Sequence, residues 1–416
     1  MGRSLQLHRI ALLCIACGCH THTDHSDHSN TNGNPDGASA VDASAADPDF
    51  GDLPPVPDLS SMVANADAGS GGPAVNTVSI DPSNPQTVYA GKPNAGLYRS
   101  LDGGNTWTRI NALGKVTVDP QQPQTLYFAP IASDPRPLLI PSSTAPSQKS
   151  IDGGSNWTAL RGPGGAIYPN NWTGRFGPFA INPANSQELF EAFQYGCHVY
   201  VSSDGGQSWQ TKATPVICPD VNDPGPLPLS EIPLLTVRGG TLFILGGVQD
   251  ILQKALSLYQ STDHGDHWTT LCTNCVEDVV YDLVVDPFNS DRVFVVSDGT
   301  YPNWGIALSP DRGQSWEYPD FLVQVHPPAQ MIPVLGQEGT FYYVARKTAV
   351  FDAGRYASVM KGTGVSAGSG SWAVSLRAGD CYDLAVEHSG QTVYAACDDG
   401  LHKSTDAGGT WTLLPL

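Results

Sequence analysis

The sequence is poor in helix-forming stretches and in basic residues. Only 4 of its 416 residues are methionine, and 44 glycines and 34 prolines leave few stretches long enough for an ordinary helix. Glycine and proline at such short intervals are typical of short strands joined by turns. Lys and Arg number 21 against 40 Asp and Glu, which gives a net charge of −19. This charge repels nucleic acid, so no nucleic-acid partner is expected, and the acidic excess favours solubility.

Long apolar runs are also missing, and the one short run lies near the N-terminus. It spans residues 10–16, follows Arg3 and Arg9, and is followed by Cys-Gly-Cys at 17–19. This pattern predicts a secretory signal peptide, too short to span a bilayer as a stable helix. The cysteines resemble the lipobox of bacterial lipoproteins. The resemblance implies a signal peptide over 1–18, a lipid on Cys19, a cell-envelope location and membrane contact through the anchor alone. Cys17 is the alternative lipid site, and an ordinary signal peptide with incidental cysteines is the other interpretation.

Residues 19–73 are small, polar and acidic, with few apolar side chains. Such a segment cannot offset its ordering entropy by burial, so the sequence predicts a flexible tether. Its start, HTHTDHSDH (20–28), contains ligands that could hold a divalent cation. A solvated linker of biased composition is the simpler interpretation, so no metal and no cofactor are expected.

An eight-residue motif, S-x-D-x-G-x-x-W, recurs in the rest of the chain. Six copies keep the full pattern, and they occupy residues 100–107, 150–157, 202–209, 261–268, 309–316 and 404–411. A seventh, decayed copy at 365–372 keeps Trp372 and lacks the Asp. Successive tryptophans of the motif lie 39 to 59 residues apart, and repeats of this length indicate an array or a propeller.

A strand-turn-strand pattern precedes the motifs, one strand leads into each motif and another follows it. Residues 78–91, VSIDPSNPQTVYAG, are one example of that pattern. Four antiparallel strands repeated seven times predict an all-β fold, a single seven-bladed β-propeller over 74–416. An open solenoid would need capping units, and none is visible. The expected blades are 74–111, 112–161, 175–213, 231–270, 279–318, 330–376 and 381–416.

The motif resembles the Asp-box, or bacterial neuraminidase repeat, of sialidases, sortilin-type receptors and xyloglucanases. The resemblance implies a hairpin turn between the third and fourth strands of a blade. The residue types agree, because Asp accepts backbone hydrogen bonds in turns, Gly allows positive φ and Trp covers an apolar junction. Six equivalent carboxylates around one ring cannot share one active centre. We therefore expect structural roles for Asp102, Asp152, Asp204, Asp263, Asp311 and Asp406.

Six cysteines lie beyond the signal region, an even number in a chain predicted to be exported, so disulfides are expected. Cys381 and Cys397 begin and end paired strands of the last blade and should face each other. Cys272 and Cys275 form a CTNC loop, and a loop disulfide is favoured over a redox or zinc site. By elimination, the third predicted pair is Cys197 and Cys218.

Two loops on the face opposite the motif turns are candidates for a ligand platform. Residues 167–178 and 298–305 both contain a Tyr-Pro-Asn-(Asn)-Trp pattern. Exposed aromatic rings can stack on sugars or on side chains of a partner. The alternative is that these rings fill gaps over the blades. The predicted ligand-binding residues are Tyr168, Trp172, Arg175, Tyr301 and Trp304.

Carboxylates at the channel rim are weaker candidates for catalysis. Asp282 and Asp383 both lie in a YDL sequence that opens an inner strand, and Glu231 is expected at a similar place in blade four. Glycoside hydrolysis uses a carboxylate pair. Acidic rims also arise through plain solvation or ion binding, so no catalytic residue is assigned.

The favoured function is a non-enzymatic, monomeric propeller that is tethered to the envelope and binds a protein or carbohydrate ligand. It resembles exported Asp-box propellers, including an assembly factor of photosystem II. The alternative is a glycoside hydrolase of sialidase or xyloglucanase type. Sialidases carry an Arg-Ile-Pro motif, and none of the 13 arginines of this sequence lies in one. Xyloglucanases place two seven-bladed rings around a cleft, whereas this sequence predicts one ring. The motif reports fold rather than function.

Overall fold

The computed structural model describes residues 74–130, 147–160, 176–193, 197–216, 229–249, 254–276, 280–297, 305–317, 328–345, 357–366 and 369–416. Within these ranges every regular element is a β-strand. None of these described residues forms a helix capable of crossing a membrane. The all-β prediction is therefore confirmed.

The strands form seven antiparallel sheets in chain order, the predicted seven blades of a propeller. Blade I contains β1 (Thr77–Asp81), β2 (Asn84–Lys92), β3 (Gly96–Ser100) and β4 (Thr108–Asn111), and blade II contains β5 (Gly114–Val118), β6 (Leu126–Pro130), β7 (Gln148–Ser150) and β8 (Thr158–Ala159). Blade III contains β9 (Phe176–Ile181), β10 (Leu189–Phe193), β11 (His198–Ser202) and β12 (Gln210–Ala213), blade IV contains β13 (Leu229–Arg238), β14 (Thr241–Gln249), β15 (Lys254–Ser261) and β16 (Thr269–Val276), and blade V contains β17 (Val280–Val285), β18 (Val293–Ser297) and β19 (Gly305–Ser309). Blade VI contains β20 (Pro328–Pro333), β21 (Phe341–Ala345), β22 (Val359–Ser366) and β23 (Ser369–Leu376), and blade VII contains β24 (Cys381–Val386), β25 (Val393–Cys397), β26 (Gly400–Ser404) and β27 (Thr412–Leu413). In blade V the described part of the chain after β19 pairs with it through a bridge between Leu308 and Glu317.

The first strand of each blade lines the centre of the ring, and β1 contacts both β5 and β24. Second strands are the most apolar because neighbouring blades cover both of their faces. In β18 and β25 every residue is buried. Burial of such runs between blades is the main stabilising contribution to the ring.

Blades VII and I close the ring as separate, contiguous sheets. The Val75 amide donates to the Cys397 carbonyl at 2.9 Å. A shared apolar cluster includes Val88 and Ala90 from blade I and Tyr394 and Leu401 from blade VII. The closing interface is therefore built in the same way as the others.

A basic residue on the third strand links several blades to the next one. Lys149, Lys361 and Lys403 donate to the carbonyl oxygens of Gly205, Ala407 and Gly103, at 2.7, 2.9 and 2.8 Å. Each ammonium also lies over a tyrosine ring of its own blade, 5.2 to 5.5 Å from the centroid. Arg99 makes the equivalent contact to the Gly153 carbonyl. We call these contacts the inter-blade basic contacts.

The S-x-D-x-G-x-x-W segment forms the turn after the third strand, as predicted. Ser100 Oγ donates to Asp102 Oδ1 at 2.7 Å and accepts from the Gly104 amide at 2.8 Å. Asp102 also accepts from the Thr106 amide and hydroxyl, at 2.9 and 2.6 Å. These hydrogen bonds, chiefly that from the Thr106 hydroxyl, hold the pKa of Asp102 below its ordinary value. Asp152, Asp204, Asp263, Asp311 and Asp406 accept equivalent bonds.

The decayed seventh copy does not form this turn. Trp372 lies inside β23, opposite Gly362 of β22. Its ring packs edge-on against Tyr343, with centroids 5.2 Å apart. Blade VI keeps the tryptophan ring, and in place of the Asp-centred turn the pairing of β22 with β23 extends to Ser366 opposite Ser369.

Two of the three predicted disulfides are present. Cys381 and Cys397 occupy opposite positions of β24 and β25, and Cys272 is bonded to Cys275. Cys197 is also disulfide-bonded. Its predicted partner, Cys218, lies outside the described residues.

Candidate functional site

The two candidate aspartates occupy the same position on their inner strands. Asp282 pairs with Val296, and Asp383 pairs with Ala396, the corresponding residue of the second strand. The equivalent position of the first strand holds a polar side chain in blades I, II and VI, and it holds Leu234 in blade IV. We call this set the polar layer: Thr77, Lys115, Asp282, Gln330 and Asp383.

Asp383 is buried and fully engaged within the ring. Its Oδ2 accepts from the Val78 amide of blade I at 3.1 Å. Its Oδ1 accepts from Lys115 Nζ of blade II at 2.9 Å and from the Leu384 amide at 3.1 Å. The Asp383 side chain is 4% exposed, whereas Lys115 is 42% exposed. This carboxylate therefore connects blades VII, I and II.

Asp282 makes a similar contact to the next blade, and no cation among the described residues lies at bonding distance from its carboxylate. Its Oδ2 accepts from the Met331 amide of blade VI at 2.9 Å, and its Oδ1 accepts from the Leu283 amide at 2.9 Å. Burial raises the pKa of Asp282 to about 6, while these hydrogen bonds and the charge of Lys115 oppose that rise. Asp383 adds to it through charge repulsion. Part of the Asp282 population is therefore protonated at mildly acidic pH.

Two further members of the polar layer make contacts of the same kind. Gln330 Oε1 accepts from the Leu384 amide of blade VII at 2.9 Å. The Thr77 hydroxyl donates to the Gly114 carbonyl of blade II at 3.0 Å. The inner edge of each blade has no further strand to pair with, so these side chains satisfy its backbone groups. The polar layer thus joins the inner strands of successive blades.

Sequence reasoning missed Thr77, Lys115 and Gln330. Each member of the polar layer stands four residues before the first position of the following turn, as Lys115 does before Asp119 and Asp282 before Asp286. Superposing the strand-turn-strand patterns of the blades would have found the whole set. Glu231 lies in β13 three residues before Leu234, so the register places it nearer the start of its strand.

The predicted aromatic platform lies in segments that join the described strands. Residues 161–175 connect β8 to β9, and residues 298–304 connect β18 to β19. Tyr168, Trp172, Arg175, Tyr301 and Trp304 are therefore outside the described residues, as is the predicted lipidation site, Cys19.

One group of potential metal ligands occurs among the described residues. The ligand atoms of Cys397, Asp399 and His402 lie within 4.8 Å of one another. Cys397 is bonded to Cys381, and His402 Nε2 is 2.9 Å from Asp399 Oδ1. With the thiol in a disulfide, this group lacks the three protein ligands of a typical zinc centre.

No protein-family model matches the chain, and no curated protein matches it in sequence. The chain is similar in structure to YCF48 from Cyanidioschyzon merolae, with a TM-score of 0.54 and 11% identity over 81% of this chain and 97% of that one. A YCF48 structure bound to a D1 peptide gives 0.43 and 14%, with coverage of 69% and 76%. A GH74 xyloglucanase from Xanthomonas campestris gives 0.43 and 18%, covering 83% of this chain and 46% of the enzyme. At these identities the similarity to the first establishes the propeller fold alone.

Proposed function

We propose that this protein is a non-enzymatic binding propeller that presents the face opposite its S-x-D-x-G-x-x-W turns to a protein or carbohydrate ligand. The observation that carries the proposal is the use of the candidate carboxylates. Asp282 and Asp383 both accept backbone hydrogen bonds from the next blade, and Asp383 is also paired with Lys115. Carboxylates that are bonded in this way hold the ring together, whereas glycoside hydrolysis needs two carboxyl groups that can reach the substrate.

The N-terminal sequence supports an envelope-tethered form of this function. A lipid on Cys19 and a tether over 19–73 would hold the propeller at the membrane surface. Because β1 is an inner strand, the described chain enters the propeller at the end where the inner strands begin. This is the same end on which the ligand platform is proposed.

A glycoside hydrolase is the second candidate, and the state of Asp282 favours it. Burial raises the pKa of this carboxyl to about 6, and a general acid in a glycosidase needs such a raised value. The fold serves both classes, so the choice depends on the site.

The two functions are separated by assaying the full chain on a glycan array beside a hydrolysis screen. The proposal expects binding without turnover, and binding should be lost in Trp172→Ala and Trp304→Ala. Turnover that disappears in Asp282→Asn, with the fold retained, would establish the hydrolase instead. If no glycan binds, a pull-down from envelope extract with the same two variants as controls tests a protein ligand.

A further inference from the structure

Six of the seven interfaces between blades contain an apolar cluster. The clusters join blades I to II, III to IV, IV to V, V to VI, VI to VII and VII to I. Among the described residues, no cluster joins blades II and III. The interface between blades II and III, which we call the II–III seam, therefore differs from the rest of the ring.

The difference on the blade III side is a single residue of the second strand. One position of this strand points toward the preceding blade, and it is apolar in the other six blades, where it is Ala90, Phe128, Ile244, Val295, Tyr343 and Ala395. In blade III this position is Glu191, which pairs with Phe179 and Tyr200 on the neighbouring strands. A carboxyl group thus replaces the apolar side chain.

The blade II side departs from the pattern as well. The third-strand residue that points toward the following blade is apolar in the other six blades, where it is Leu97, Val199, Leu258, Ile306, Val359 and Leu401. Counting back from the conserved Ser of the turn, the corresponding residue of blade II is Ser147. At these two positions the II–III seam therefore has a polar residue on each side, where every other interface has an apolar one.

Contacts toward the turn-bearing end hold the II–III seam together. Lys149 reaches the Gly205 carbonyl at 2.7 Å, and Gln121 Nε2 donates to the Ala184 carbonyl at 2.8 Å. The rings of Tyr127 and Phe179 are 5.3 Å apart. Beyond these contacts, Glu191 is the carboxyl group that the described strands place in the seam.

Glu191 is partly buried, and this burial raises its pKa to about 7. Tyr200 lies opposite it on β11, and blade II contributes Tyr127 and Lys149 to the seam. Within the described ranges no hydrogen bond or ion pair reaches the Glu191 carboxyl, and the Lys149 ammonium is engaged with Gly205 and Tyr127. Among the described residues, no cation within bonding distance would therefore compensate an ionised Glu191 carboxylate.

We propose that the II–III seam is a proton-controlled opening of the ring, closed while Glu191 is protonated and loosened when Glu191 ionises. The direction of this pH dependence follows from the linkage between proton binding and opening of the seam. In the closed seam the carboxyl binds its proton more tightly than in an open, solvated one, so acid favours closure. Opening should increase as the pH rises from the ordinary pKa of a glutamate toward about 7 and then level off.

Hydrogen exchange of the full chain between pH 5 and 8, corrected for intrinsic exchange rates, tests this inference. Amides of β9 at the seam should lose protection by roughly tenfold per pH unit between about 5 and 7, with a plateau above. Amides of β24 at the closing interface should keep a constant protection. In Glu191→Gln the β9 amides should keep their pH 5 protection throughout.

Glu188→Gln is the matched control, because the Glu188 carboxylate is bonded to Asn182 and Asn185 and its pKa is lowered rather than raised. It should retain the wild-type pH profile. A flat wild-type profile, a profile that survives in Glu191→Gln, or equal loss of protection in β9 and β24 would each overturn the proposal. If Glu191→Gln fails to fold, Glu191→Leu replaces it, and the comparison of β9 with β24 in the wild-type chain still decides.

Discussion

Replacing Lys403 with methionine should weaken the closure of the ring by a predictable amount. Lys403 donates to the Gly103 carbonyl at 2.8 Å and lies 5.4 Å from the centroid of the Tyr394 ring. It therefore links blade VII to blade I, where no shared strand joins the two sheets. Methionine keeps the apolar stem and removes the charge and the donor.

The expected cost follows from these two contacts. A hydrogen bond to a charged group contributes about 1.5–3 kcal/mol, and the lower end applies because Lys403 is only partly buried. A cation–π contact adds about 0.5–1 kcal/mol. We expect Lys403→Met to lower the free energy of unfolding by about 2 kcal/mol.

Lys361→Met provides the matched comparison within the ring. Lys361 makes the same pair of contacts from blade VI to blade VII, to the Ala407 carbonyl at 2.9 Å and to the Tyr342 ring at 5.5 Å. Urea unfolding followed by tryptophan fluorescence should give costs that agree within about 0.5 kcal/mol. A cost near zero for Lys403→Met beside a full cost for Lys361→Met would refute closure by an ordinary inter-blade interface.

Four further outcomes follow from hydrogen-bonded, disulfide-bonded or buried groups. Ser100→Ala removes the acceptor of a buried amide and should lower the free energy of unfolding by about 1–3 kcal/mol in urea titrations. Asp102→Ala should lower the melting temperature and leave ligand binding on the opposite face unchanged, and lost binding at an unchanged melting temperature would contradict this. Replacing Cys381 and Cys397 by serine opens a loop of separation 16 and should cost about 3 kcal/mol, measured beside reduced wild type. Wild-type stability should fall by up to about 3 kcal/mol between pH 4.5 and 7 because the folded pKa of Glu191 is raised, and urea titrations of Glu191→Gln should lack this fall.

The fold was predictable because the chain repeats it seven times. Each S-x-D-x-G-x-x-W copy specifies its turn through local hydrogen bonds, as Ser100, Asp102 and Gly104 show. Local signals of this kind survive in the sequence as fixed spacings. Trp372 shows the limit, because a retained tryptophan without its Asp does not specify the turn. Blade VI holds its shape through packing, which no short motif records.

The candidate site was only partly predictable, because its contacts cross between blades. Asp383 stood out through its YDL sequence, but its partners Lys115 and Val78 lie more than 260 residues away. Such pairs become neighbours only when the ring closes. Glu191 escaped notice for a related reason. A glutamate in an apolar strand is unremarkable alone, and it gains meaning only beside the six apolar residues at the same position.

The polar layer shows why an acidic residue at the channel of a propeller is weak support for catalysis. The inner edge of every blade exposes backbone groups that no strand can pair. Asp282, Gln330 and Asp383 each accept one of these amide hydrogens from the next blade. Acceptors at this register therefore have a structural use in the ring whether or not it has an active site. Burial raises the pKa of Asp282, and this is the carboxyl on which any hydrolase activity would have to depend.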